Sequence, residues 1–192
     1  MAIAPIVSIL TTGVVGYSQQ AELQPWQVTS LSTFSPSGRP GSSPYSIINL
    51  TITDPNTINA GPAHRGTAIF PPTTANCSTY WDTWSETETP YNKTNACSEV
   101  QYGYWTFEMR ETSGTSSTYI KPTENVDIVF THVDNVTVIG SVYTKTFVGT
   151  AHFELGDNMS GVCGASGVCS WGLKSNTTVP VKQTMTACQG EC

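Results

Sequence analysis

The chain is 192 residues long, and its 8 Lys+Arg against 14 Asp+Glu give a formal net charge of -6 at pH 7, which repels polyanions and argues against nucleic acid as a partner. Charged residues make up only 11% of the chain and hydrophobic residues 38%; Thr, Ser, Gly, Asn and Pro fill most of the remainder, a composition of strands and turns rather than helices. No apolar run approaches the ~20 residues that span a bilayer, and the basic residues are too few to hold anionic lipid, so no membrane partner is expected.

Residues 1–16 are apolar, lack acidic side chains and end on small residues. They read as a signal peptide, with an ordinary first strand or a mis-assigned start as the alternative. The remaining 17–192 are expected to form a single all-β domain. Residues 26–34 are the first expected strand, and 35–44 (SPSGRPGSSP) a loop dense in turn formers. In 45–53, Ile48, Leu50 and Ile52 alternate with Asn49, Thr51 and Thr53, which predicts a buried face and a solvent face. Residues 54–72 read as a loop with one brief strand at 67–70, and 78–96 as a polar, acidic and aromatic loop closed by Cys77 and Cys97. Within 102–111, Trp105, Phe107 and Met109 alternate with Thr106, Glu108 and Arg110, the pattern of a strand.

Residues 125–133 put Val126, Ile128 and Phe130 on one face, after which Asp134-Asn135 is expected to turn the chain into 136–143. The longest alternation, 143–155, sends Tyr143, Phe147, Ala151 and Phe153 inward and Thr144, Thr146, Thr150, His152 and Glu154 outward. Lys145 falls on the inward side, which predicts a bulge or a strand end there. A Gly-rich disulfide loop at 156–169 precedes a strand at 170–173, and 178–186 closes the domain. The sum is a single antiparallel β-sandwich or β-barrel of about eight to ten strands.

Six cysteines, Cys77, Cys97, Cys163, Cys169, Cys188 and Cys192, include no Cys-x-x-Cys pair and meet no His at zinc spacing, so disulfides are expected rather than a metal site. Sequence leaves the connectivity open, and local spacing favours Cys77 with Cys97, Cys163 with Cys169, and Cys188 with Cys192. Six Asn-x-Ser/Thr acceptors stand at Asn49, Asn76, Asn92, Asn135, Asn158 and Asn176, against roughly two expected by chance. The surplus favours a secreted, extracellular glycoprotein.

Catalytic candidates are sparse. His152 with Glu154, and His132 with Asp134, sit two apart as a proton-transfer pair would, but acid and His alternating on a solvated strand face are the plainer reading. No Gly-x-Ser-x-Gly elbow surrounds a serine. Glu108, Asp127, Glu154 and Asp157 are the carboxylates that a glycoside hydrolase would need to set across a gap. Asp54, Asp127 or Asp157 could contribute to a calcium site, yet none lies in a ligand-loop signature. No cofactor is expected. Tyr80, Trp81, Trp84 and Tyr91 are the best binding candidates, since exposed aromatics stack on sugar rings or anchor protein partners; the alternative is that Trp81 and Trp84 cover one end of the fold.

The Trp-x-Val strand at 26–28, the central couple Cys77 and Cys97, the later couple Cys163 and Cys169 and the all-β body resemble the small secreted fungal β-barrel proteins related to the Alternaria major allergen. That resemblance implies an effector, elicitor or allergen-like extracellular protein without a catalytic site, and a homodimer is compatible with it; no functional residue carries over. The expectation is a non-enzymatic secreted protein that binds a host protein or a cell-wall glycan through 78–96. The alternatives are a β-sandwich carbohydrate-active enzyme and a structural wall protein.

Overall fold

The computed structural model describes residues 22–112, 121–138 and 140–192, and the expected signal segment lies outside them. Among the described residues the strands are β1 (Trp26–Ser35), β2 (Tyr45–Asp54), β3 (Ile58–Pro62), β4 (Thr67–Phe70), β5 (Thr73–Asp82), β6 (Thr94–Ala96) and β7 (Gly103–Arg110). They continue with β8 (Asn125–Val138), β9 (Ser141–Glu154), β10 (Met159–Cys163), β11 (Cys169–Leu173), β12 (Val179–Val181) and β13 (Gln183–Gln189). One sheet runs β10-β11-β1-β2-β5, with β12 also paired to β1; the other runs β13-β9-β8-β7-β6; β3 and β4 form a small separate hairpin. Every strand pair is antiparallel. Neither large sheet closes on itself, which selects the sandwich over the barrel.

One core fills the space between the sheets. Trp26, Ile48, Leu50 and Ile52 enter it from the first sheet, and Trp105, Phe107, Ile128, Phe130 and Phe153 from the second. Trp26 meets Trp105 edge to face at 4.6 Å. Each fully buried large apolar side chain of this kind stabilises the fold by about 2 kcal/mol, so the alternations read from the sequence are the main determinant of the sandwich.

Several expectations are corrected. The chain does not reverse at Asp134-Asn135: the β8–β9 register continues to Val138 opposite Ser141, and Gly140 at φ 78° serves the later turn. Lys145 lies inside an unbroken stretch of that register, opposite Asp134, and is itself buried. There is no bulge; the two residues oppose each other in the register, and the Lys145 charge pulls the Asp134 carboxyl pKa down. The first part of the supposed 78–96 loop belongs to β5, whose inward Thr73, Ala75 and Cys77, ahead of Trp81, are too small or too polar to advertise a strand. Residues 156–169 likewise contain β10, and 178–186 divides between the two sheets as β12 and β13.

All three disulfides close as the local spacing favoured: Cys77–Cys97, Cys163–Cys169 and Cys188–Cys192. The first joins β5, at the edge of one sheet, to the chain just past β6 at the edge of the other. It is reinforced there by the Ser98 amide donating to Asn76 O at 2.7 Å. The second clasps the β10–β11 hairpin.

Candidate functional site

At one end of the sandwich the segment 82–90 rises from β5 and faces 121–123, leaving an open groove of about 500 Å³. The segment is held by its own side chains. Asp82 Oδ1 accepts from the Trp84 amide at 2.9 Å, and Ser85 Oγ accepts from the Glu88 amide at 3.0 Å. Ser46 and Thr83 hydroxyls meet at 2.7 Å, and the buried Ser35 hydroxyl meets that of Thr123 at 2.6 Å. Asp82, Glu86 and Glu88 line the groove from one segment and Lys121 from the other, together with Thr87, Thr89 and Thr123. A groove so lined offers charged acceptors, one charged donor and many hydroxyls to a ligand.

The four predicted aromatics separate. Trp84 is 58% exposed and borders the groove. Its indole rests on the loop 36–44: a Cβ on Gly38, whose φ is +71°, would fall 2.6 Å from Trp84 Cζ2. Trp81 is a core residue at 4% exposure that shows the groove only part of its ring, so for this residue the covering alternative holds. Tyr91 is half-buried against the core, and its phenol is pushed up to about 12 by burial and by Glu111. Tyr80 is 66% exposed but lies on the outer face of the first sheet, where its ring meets Tyr45 at 5.4 Å. Sequence reasoning missed Ser46, Lys121 and Thr123, which carry no motif and reach the groove only through the fold.

The two His–acid pairs also take different places. His132 and Asp134 are not on a solvated face, as their residue types suggested; they continue the inward face of Val126, Ile128 and Phe130 and are buried, as are Asp54 and Lys145. Trp105 stacks on the His132 ring at 4.0 Å. His132 Nδ1 lies 3.4 Å from Asp54 Oδ2, and Nε2 lies 3.4 Å from Asp134 Oδ1. Asp54 is anchored further by Trp26 Nε1 at 2.9 Å and by the Asn56 amide and side chain at 2.8 and 2.7 Å. Burial raises Asp134 to about 6; His132 and Lys145 pull it down, and Asp54 pushes it up. Sealed from solvent, this quartet ties β2, β8 and β9 together and cannot reach a substrate.

His152 does face solvent. Its Nδ1 lies 2.7 Å from Asp127 Oδ1 and its Nε2 3.4 Å from Glu154 Oε2. Burial works against protonation there, but the hydrogen bonds and charges of Asp127 and Glu154 outweigh it and raise the imidazole pKa. Glu108 is paired with Arg110 Nε at 2.8 Å on the same sheet. These carboxylates stand side by side on neighbouring strands rather than across a gap, and Asp157 lies in the turn after β9. That is not the facing geometry of a glycosidase pair. Among the described residues no group of three or more His, Cys, Asp or Glu is placed to hold a metal ion.

Five of the six glycan acceptors, Asn49, Asn76, Asn92, Asn135 and Asn176, are exposed, and Asn158 is half-buried. No family model, no curated protein and no solved structure matches the chain.

Proposed function

We propose that this is a secreted, non-enzymatic binding protein that holds a cell-wall carbohydrate in the groove between 82–90 and 121–123. The observation that carries the reading is the lining of that groove. An exposed indole sits beside three carboxylates, an ammonium and a row of hydroxyls, the combination that stacks on a sugar ring while hydrogen-bonding its hydroxyls. Internal hydrogen bonds hold the 82–90 segment in shape before any ligand arrives, which lowers the entropy lost on binding. Three closed disulfides with no free cysteine among the described residues support an oxidising compartment.

The test is a fluorescence titration with soluble oligosaccharides from chitin and β-glucans. Trp84→Ala removes one stacked aromatic, worth about 2 kcal/mol or about thirtyfold in Kd, while the circular dichroism spectrum stays unchanged. Equal affinity in the variant, or no binding to any of these sugars, overturns the proposal.

A further inference from the structure

Two of the acceptor sequences face each other across one strand pair. Asn49-Leu50-Thr51 lies on β2 and Asn76-Cys77-Ser78 on β5, and the register sets Asn49 opposite Ser78 and Thr51 opposite Asn76. Leu50 and Cys77 belong to the core, so alternation turns the other four side chains to the outer face. There each sequence completes the other: Thr51 Oγ1 donates to Asn76 Oδ1 at 2.9 Å, and Ser78 Oγ donates to Asn49 Oδ1 at 2.7 Å. Both bonds use the amide oxygen. Neither amide nitrogen, the atom that a glycan would occupy, makes a hydrogen bond among the described residues.

Asn158 is the opposite case. Its Nδ2 donates to His152 O at 2.8 Å, and its Oδ1 accepts from the Glu154 amide at 3.0 Å. Both ends of this amide hold the turn after β9 to the strand, so a sugar on Nδ2 would disturb a contact that the fold uses.

Beside Asn49 runs an apolar row. Val162 and Phe34 flank Ser170, Phe34 stands opposite Ile47, and Ile47 opposite Tyr80. Val162 is 72% exposed, and Tyr45 packs on the exposed Tyr80. Ile47 precedes Asn49 by two residues on the same face, about 7 Å along the strand. From the Thr53–Thr74 pair to the Ile47–Tyr80 pair, the outer face of β1, β2 and β5 carries no charged side chain. A charge-free face with an exposed apolar row is unusual for a soluble surface with nothing on it. A sugar rooted at Asn49 is within reach to cover that row, and pyranose rings stack on aromatic and aliphatic side chains as readily as on an indole.

We infer that Asn49 and Asn76 form a paired N-glycan site, that the first sugars on Asn49 lie along the Ile47–Tyr80 row, and that Asn158 carries no glycan. The inference rests on the secretory reading above. In the covalent step, the amide nitrogen bonds to the anomeric carbon of an oligosaccharide carried on a lipid diphosphate. The carbon–oxygen bond to phosphate breaks, the lipid diphosphate leaves with the electron pair, and the amide proton passes to a base of the transferase.

The full chain is secreted from a eukaryotic host, and site occupancy is read by mass spectrometry after enzymatic deglycosylation in heavy-oxygen water. Label at Asn49 and Asn76 and none at Asn158 is the expected result. Label at Asn158, or none at Asn49 while other sites are occupied, overturns the inference alone; no label at any of the six removes the secretory reading with it. A second measurement avoids misfolded variants: the folded glycoprotein is deglycosylated and its melting temperature compared in wild type and Tyr80→Ser. Loss of the sugars is expected to lower Tm by about 3 °C in the wild type and by markedly less in the variant. Equal shifts would show that the sugar does not lie on Tyr80.

Discussion

Replacing Asp134 by asparagine should change how stability depends on pH, because this carboxyl is buried among charges. Its side chain is 2% exposed, and burial, with a further push from Asp54, raises it from 3.8 to about 6 against the pull of His132 and Lys145. Since the folded value lies above the unfolded one, the native state holds the proton more tightly in between. The contribution to stability is therefore complete below 3.8 and is lost as pH rises through about 6. At about 1.4 kcal/mol for each pH step between those values, the span is worth about 3 kcal/mol. Urea unfolding from about pH 3.5 to about pH 7.5 measures it. The stability of the wild type minus that of Asp134→Asn should fall by about 3 kcal/mol across that range. Exposed carboxylates far from this cluster titrate alike in both proteins and cancel. Parallel curves, or a difference that grows with pH, would refute the reasoning.

Gly38→Ala should weaken oligosaccharide binding, because its new methyl would fall 2.6 Å from Trp84 Cζ2, and the φ of +71° should cost about 1 kcal/mol of stability; the same titration reads the binding, and unchanged affinity contradicts it. Removing the Cys77–Cys97 bridge as a double alanine variant should lower the unfolding free energy by about 3 kcal/mol, with an unmoved urea midpoint as the contrary result. In Asp127→Asn, the His152 imidazole should titrate at lower pH by NMR, since its 2.7 Å partner is gone. The native contribution of this raised pKa is present in acid and lost as pH rises through the folded value, so the variant should lose stability mainly on the acid side. An unchanged His152 titration would mean that the contact does not persist in solution.

The sandwich was legible wherever one face of a strand is uniformly apolar. Ile48, Leu50 and Ile52 on β2, and Trp105, Phe107 and Met109 on β7, are buried as their alternation required, because a slip of one residue would expose the whole set. Strands built from small or polar inward residues were not legible: β5 hides Thr73 and Ala75 in a threonine-rich run. The charged quartet was misread for a related reason. His132 and Asp134 continue the inward face of Val126, Ile128 and Phe130, and Lys145 that of Phe147 and Ala151, but charged side chains there read as a solvated pair or a strand break until β8 and β9 pair them and Asp54 arrives from β2. For the candidate site, the sequence singled out Trp84 by its aromatic and acidic neighbourhood. The opposite wall at 121–123 lies far off along the chain and is joined to it by β1, where Thr33 Oγ1 donates to Thr123 O at 2.8 Å and Ser35 meets the Thr123 hydroxyl.

The groove is tested most directly by chemical-shift mapping of the isotope-labelled protein during titration with chitin- and β-glucan-derived oligosaccharides. Shifts are predicted at the Trp84 indole NH and at the backbone amides of Ser85, Thr87 and Glu88, with His152 and Thr150 on the far sheet unmoved. Shifts centred on His152, or none at any sugar concentration, would contradict carbohydrate binding at this end of the sandwich.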